Sequence, residues 1–178
     1  MTREQLEHAI RAVCDVSGET EIIVIGSQSI LGEFPEAPAF LRQSTEVDVI
    51  LKSKPEMTDR VDGVLGELSM FHTTHDFYVH GVSTETAVLP DGWEDRLVMV
   101  CSESTRRNIG WCLQGYDLAA SKLAAFREKD RDFVRVLLAE RLLHTSTLKE
   151  RLAAMPLTAE ERARLVDWVG HTAAALGV

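Results

Sequence analysis

The residues whose types and spacing could do chemistry concentrate between Gly26 and Asp48. The run Arg42-Gln43-Ser44-Thr45-Glu46-Val47-Asp48-Val49-Ile50 places two carboxylates two residues apart in a β-branched stretch. Side chains at i and i+2 leave a strand on the same face. Glu46 and Asp48 therefore share one face, and Val47 and Val49 point the other way, towards a core. Two like charges this close repel each other unless something neutralises them. A divalent cation does so, since Mg²⁺ is commonly held by one or two carboxylates together with substrate phosphates. The same spacing also fits an edge strand with its polar residues turned to water. Upstream, Ile22-Ile23-Val24-Ile25 ends in Gly26-Ser27. A glycine there lets backbone N–H groups approach a phosphate, and the serine hydroxyl adds a hydrogen bond. A short helix opening over 27–31 would aim its positive end at the same anion.

Other elements must position these groups. Thr2 with Gln5 fits a capping box, and Leu6, Ile10 and Val13 mark the buried face of a first helix that closes at Ser17-Gly18. His8 reads as an exposed residue of that helix. Residues 33–43 carry Pro35 and Pro38 and form a loop beside the acids. In it Phe34, Phe40 and Leu41 either anchor the loop or cover a base or ribose. A helix from Met57 or Thr58 would show Val61, Val64, Leu65 and Leu68 on one face. A third strand over 77–82 would place Phe77, Val79 and Gly81 on one side and Tyr78 and His80 on the other. Asp76 and His80 are the candidates there for a further acid or a histidine in its place. The tract His72, His75 and His80 also invites zinc, but no cysteine and no i, i+4 pairing supports it.

Further along, Leu89-Pro90-Asp91-Gly92 is a turn, and 97–101 and 108–113 extend the sheet as a hairpin-like pair. Arg96, Arg106 and Arg107 beside them fit either phosphate contacts or solvated strand-end charges. Asp117 is an expected N-cap for a helix over 118–127, and Lys122 lies within its alanine-rich face. Asp130 is a candidate cap for the next helix. Thr158 with Glu161 caps a last helix striped by Leu165, Trp168, Val169 and Ala173.

Gly26-Ser27 followed by Arg42-x-Ser44-x-Glu46-x-Asp48 resembles the core motif of the DNA polymerase β-like nucleotidyltransferase superfamily. The nearest likeness is to small bacterial nucleotidyltransferase-like proteins that include the AbiEii and MenT-type toxins. Residues 117–132, DLAASKLAAFREKDRD, are similar to the lysine helix and charged junction of the same group, although the stretch also fits an i, i+4 ion-pair lattice on a helix. Two departures stand out: Glu46 occupies a position that is usually Asp, and no third strand carboxylate matches well.

The resemblance implies an α+β fold, a polymerase β-like core of mixed sheet flanked by helices. The resemblance covers roughly residues 20–140 of a chain that reads, with no repeat or linker, as a core over 1–140 with C-terminal helices over 141–178 packed on it as one globular unit. It also implies transfer of a nucleoside monophosphate from an NTP to a hydroxyl acceptor. Glu46 and Asp48 would be catalytic and hold Mg²⁺ or Mn²⁺. Gly26, Ser27 and Arg42 would bind the nucleotide, Lys122 would meet its phosphates, and Asp132 would orient Lys122 or a neighbouring arginine. The toxin likeness adds a tRNA 3′ end as acceptor and an antitoxin protein as partner. The alternative is a catalytically degenerate relative that serves as a nucleotide-binding or protein-interaction module.

Composition bounds these readings. The 178 residues suffice for one domain with a core, and 45% apolar content is ordinary. A net charge of -9 argues against nonspecific coating of nucleic acid. No apolar run is long enough to cross a bilayer, and the polar N-terminus is no secretory signal. Three cysteines without CxxC spacing suggest free thiols in a reducing cytoplasm.

Overall fold

Short apolar runs form five strands: β1 (Glu21–Ile25), β2 (Glu46–Ile50), β3 (Tyr78–Gly81), β4 (Val98–Val100) and β5 (Ile109–Cys112). In the computed structural model, which describes Met1–Val178, they make one mixed sheet in the order β3-β2-β1-β5-β4. β1 is antiparallel to β2 and parallel to β5; β2 is parallel to β3, and β4 is antiparallel to β5. Ile22 to Ile25 are all buried, as expected for a central strand covered on both faces. With helices flanking the sheet, the α+β polymerase β-like architecture expected from the sequence is present.

The chain clusters into two compact units, Met1–Thr86 with Leu97–Gln114, and Ala87–Arg96 with Gly115–Val178. Residues 115–140 thus cluster with the C-terminal helices. No helix is long and apolar enough to cross a membrane.

The first unit holds the sheet and helix α1 (Arg3–Ser17). Thr2 and Gln5 complete the capping box, and Gly18 closes the helix at φ 70°. Leu6, Ala9, Ile10 and Val13 are fully buried. The helix comes so close to β5 that a Cβ on Gly110 would lie 2.4 Å from Ile10 Cδ1. A short α2 (Ile30–Glu33) likewise sets Gly32 against Cys112, where an added Cβ would lie 2.5 Å from the cysteine Cβ.

Helix α3 (Thr58–Leu65) buries Val61 and Leu65, but Val64 and Leu68 are exposed, so the expected four-residue stripe is cut short. Gly66 ends the helix by donating its N–H to Asp62 O, and Leu68 falls beyond it with φ 65°. His8 also departs from its expected exposure. It is half-buried, and its ring packs against His75, Phe71 and Phe77 at centroid distances of 4.5, 5.3 and 5.9 Å. The partners come from α4 (Met70–His75) and the residue before β3, a long-range meeting that helical periodicity cannot reveal.

The second unit packs α5 (Gly115–Ala125), α6 (Glu128–Ala139), α7 (Thr145–Ala153) and α8 (Ala159–Leu176) around Leu118, Leu123, Leu137, Leu138, Leu148, Leu152, Leu165 and Val169. The capping box of α8 forms as expected. Asp117 is not a cap. α5 starts at Gly115, which puts Asp117 inside the first turn, where it is fully buried. Its carboxylate accepts from Arg96 at 2.9 and 3.1 Å and lies 3.1 Å from Arg151 Nε. Arg96 is therefore a structural counter-ion. Arg106 pairs with Asp15 at 2.9 Å and Arg107 lies 3.5 Å from Glu103, both at the surface. Asp130 is likewise not a cap; Arg127 holds that position in α6.

Two stability measurements check this packing. Gly110→Ala should cost roughly 1–3 kcal/mol by overpacking against Ile10, with part regained in the Gly110→Ala/Ile10→Val double variant, read by chemical denaturation. Asp117→Ala should cost on the order of 3–5 kcal/mol, because it leaves the Arg96 and Arg151 guanidinium groups without their shared carboxylate.

Candidate functional site

The central strand delivers the chain into a turn that only glycine fits. Gly26 follows β1 with φ 67° and ψ −170°, a conformation nearly confined to glycine. A Cβ there would sit 2.0 Å from Asp48 Oδ2. The antiparallel register explains this contact, since Ile25 pairs with Asp48 across β1 and β2. Ser27–Ser29 then make one 3-10 turn, braced by Ser29 Oγ donating to Gly26 O at 2.8 Å. The turn runs straight into α2, so the expected helix over 27–31 is split between these two short pieces.

On β2, Val47 and Val49 are fully buried, and Glu46 and Asp48 occupy the opposite face. Their side chains are 37% and 26% exposed. The parallel register of β2 and β3 pairs Glu46 with Tyr78 and Asp48 with His80. His80 Nδ1 lies 3.1 Å from Glu46 Oε1 and 3.6 Å from Asp48 Oδ1. One ligand atom from each of the three residues lies within 4.8 Å of the others. Protein oxygen and nitrogen ligands sit about 2.0–2.6 Å from a divalent ion, so this span suits a shared cation. The donor set fits such an ion, and the missing side chain of Gly26 is what lets the Asp48 carboxylate lie against the turn.

Beside the three side chains opens a cleft of ≈ 270 Å³ lined by Glu46, Asp62, Glu67, Tyr78 and His80, among others. Partial burial pushes the Tyr78 phenol up from its ordinary value, and the carboxylates of Glu46, Glu67 and Asp48 add to the effect. Asp62 is engaged from within, accepting from Gly81 N–H at 2.6 Å.

The other candidates in this unit divide. Arg42 ends the 3-10 turn Ala39–Arg42; its carbonyl accepts from the Met1 ammonium, and its Nε is buried without a hydrogen-bond partner. Leu41 anchors the loop in the core, whereas Phe40 is exposed. Asp76 is the left-handed cap of α4 and stands outside the acid–imidazole group. The histidine tract disperses. His72 Nδ1 accepts from Leu68 N–H at 3.1 Å, and His75 packs on His8 and Phe71.

In the second unit Lys122 is 12% exposed, 3.5 Å from Asp130 Oδ1 and 4.4 Å from the Phe133 ring centre. Burial lowers its pKa, and the Asp130 carboxylate opposes that. Arg127 Nε donates to the other oxygen of Asp130 at 2.6 Å. Asp132 is half-exposed and pairs with Arg135. Two residues apart on a helix are roughly 200° apart around the axis, so Asp130 and Asp132 cannot both face Lys122. The burial of Asp130 (0% exposed) is a tertiary fact that the charged string 127–132 does not betray.

The family model for "Nucleotidyltransferase of unknown function (DUF6036)" matches residues 4–169. No curated protein and no solved structure matches the chain significantly.

Gly26→Ala tests the site's construction. The substitution should cost on the order of 1–3 kcal/mol in stability and displace the Asp48 carboxylate. Denaturation and Mn²⁺ calorimetry together check both effects, with ion binding lost even at temperatures where the variant stays folded.

Proposed function

The chain belongs to the family of nucleotidyltransferases of unknown function, and from that premise we propose that it is a metal-dependent enzyme moving a nucleoside monophosphate from an NTP to a hydroxyl acceptor. The observation that carries the reading is the abutment of Gly26 on Asp48, with Glu46 on the same strand face. It sets a glycine turn directly beside paired acids.

A divalent cation, Mg²⁺ or Mn²⁺, supplies charge neutralisation and Lewis acidity to phosphate oxygens when bound. Glu46 and Asp48 hold it. Gly26 admits the Asp48 carboxylate against the turn, and backbone N–H groups of the turn with the Ser27 hydroxyl would meet phosphate oxygens. Arg42 and Lys122 take the role the resemblance gives them, offsetting the charge that grows on the leaving pyrophosphate. Asp130 opposes the lowering that burial imposes on the Lys122 pKa. In this reading Asp132 acts only through Arg135. The acceptor hydroxyl oxygen attacks the α-phosphorus as the bond to pyrophosphate breaks, its proton passing to solvent, and positioning with electrostatics supplies most of the acceleration.

The likeness to toxins extends the proposal to a tRNA 3′ end as acceptor, an antitoxin protein as partner and a cytoplasmic setting. The thiols suit a reducing compartment: Cys14, Cys101 and Cys112 are all free, and burial pushes Cys14 and Cys112 up to about 12. A second reading, a degenerate relative that binds nucleotide without turning it over, draws on Glu46 in place of Asp and on an imidazole where a third acid is usual.

Calorimetry with NTP and divalent ion, followed by incubation of labelled NTPs with total RNA, separates the two. Asp48→Asn should weaken ion-dependent NTP binding by about tenfold or more. Lys122→Ala should leave ion binding intact and suppress transfer. Label entering RNA supports the enzyme with an RNA acceptor. Tight NTP binding without transfer to any hydroxyl supports the degenerate relative, and equal binding by wild type and Asp48→Asn contradicts the metal role of Asp48.

A further inference from the structure

We propose that His80 is the third protein ligand of the cation site and that it turns the site's preference from Mg²⁺ towards Mn²⁺. This rests on the nucleotidyltransferase reading of Glu46 and Asp48. The strands dictate the placement: parallel pairing sets His80 directly across from Asp48, on the face that carries both acids. Its Nδ1 is turned to Glu46 Oε1 at 3.1 Å and Asp48 Oδ1 at 3.6 Å. The side chain is 51% exposed, so the two carboxylates rather than packing in the core set its orientation.

The donor set then biases the site away from Mg²⁺. Mg²⁺ is a hard ion that takes oxygen ligands, demands near-ideal octahedral geometry and dehydrates reluctantly. An imidazole nitrogen is a poor substitute for one of its oxygens. Ions of the first transition row accept imidazole readily, and among them Mn²⁺ also keeps the octahedral, oxygen-rich shell that triphosphate oxygens complete. Two carboxylates and one imidazole thus suit Mn²⁺ better than a site of three carboxylates would. Glu46 fits the same picture, because its longer side chain brings the carboxylate to the imidazole rather than away from it.

The test uses the full chain and the ions alone. Calorimetry gives the affinities of Mn²⁺ and Mg²⁺ for wild type, His80→Asp, His80→Gln and Asp48→Asn. Electron spin-echo spectroscopy of bound Mn²⁺ reports whether an imidazole nitrogen is coordinated. Oxygen ligands by themselves already favour Mn²⁺ somewhat, so the readout is the change in the Mn²⁺/Mg²⁺ ratio. In His80→Asp this ratio should fall by about fivefold or more, with Mg²⁺ binding kept or improved. His80→Gln should lose Mn²⁺ affinity by about tenfold. The nitrogen coupling should be present in wild type and absent from both variants. An unchanged ratio with no nitrogen coupling in wild type overturns the assignment of His80 while leaving the acids as ligands, provided Asp48→Asn has lost the ion. If Asp48→Asn binds Mn²⁺ as wild type does, the reading of the site itself is wrong.

Discussion

Two carboxylates on alternate positions of one strand repel each other, and the strand must still be pinned tightly enough to keep them side by side. The pinning is done from behind. Val47 and Val49 of β2 and Val79 of β3 are fully buried. Slipping either strand by one residue would drive Glu46, Asp48 or His80 into the core and expose valine to water. Hydrophobic burial on one face therefore fixes the polar geometry on the other. The contact of Gly26 with Asp48 depends on the same register, because β1 carries Ile25 to its place opposite Asp48.

Charge is handled differently in the second unit. Asp117 and Asp130 are both fully buried, and each is neutralised by two cationic side chains, Arg96 with Arg151 and Lys122 with Arg127. Such pairs give the fold little net stability over apolar residues of similar volume, but removing one partner costs a great deal. They act as fixed points for the helices. The acids of β2 lie beside the His80 imidazole and stay partly open to solvent.

Much of this was legible in the residues. The capping boxes at Thr2 and Thr158, the apolar run before Gly26 and the alternation through Glu46-Val47-Asp48 all rest on local rules, and all appear where those rules put them. The Gly-Ser turn and the acids also carried the family likeness. What was not legible depends on partners far apart in sequence. Alternation places His80 on a face of β3, but only the parallel pairing of β3 with β2 says that the face is shared with Asp48. Asp117 and Asp130 look like helix caps, because Asp before an apolar stripe is a common cap. Their burial against arginines and Lys122 could not be inferred from neighbours along the chain. The half-burial of His8 is hidden for the same reason, its ring neighbours lying some sixty to seventy residues away in α4 and before β3.

The chain is thus a nucleotidyltransferase-family protein whose acids, glycine turn and strand histidine converge in its first unit. The central claim is that this convergence is a divalent-ion and nucleotide site. The most direct measurement is a crystal structure of the full chain with a non-hydrolysable NTP and Mn²⁺, with anomalous scattering used to locate the ion. The account expects an Mn²⁺ peak between Glu46, Asp48 and His80, with the phosphates lying against the Gly26-Ser27 turn. A nucleotide bound elsewhere, or an ion peak away from Asp48, would contradict it.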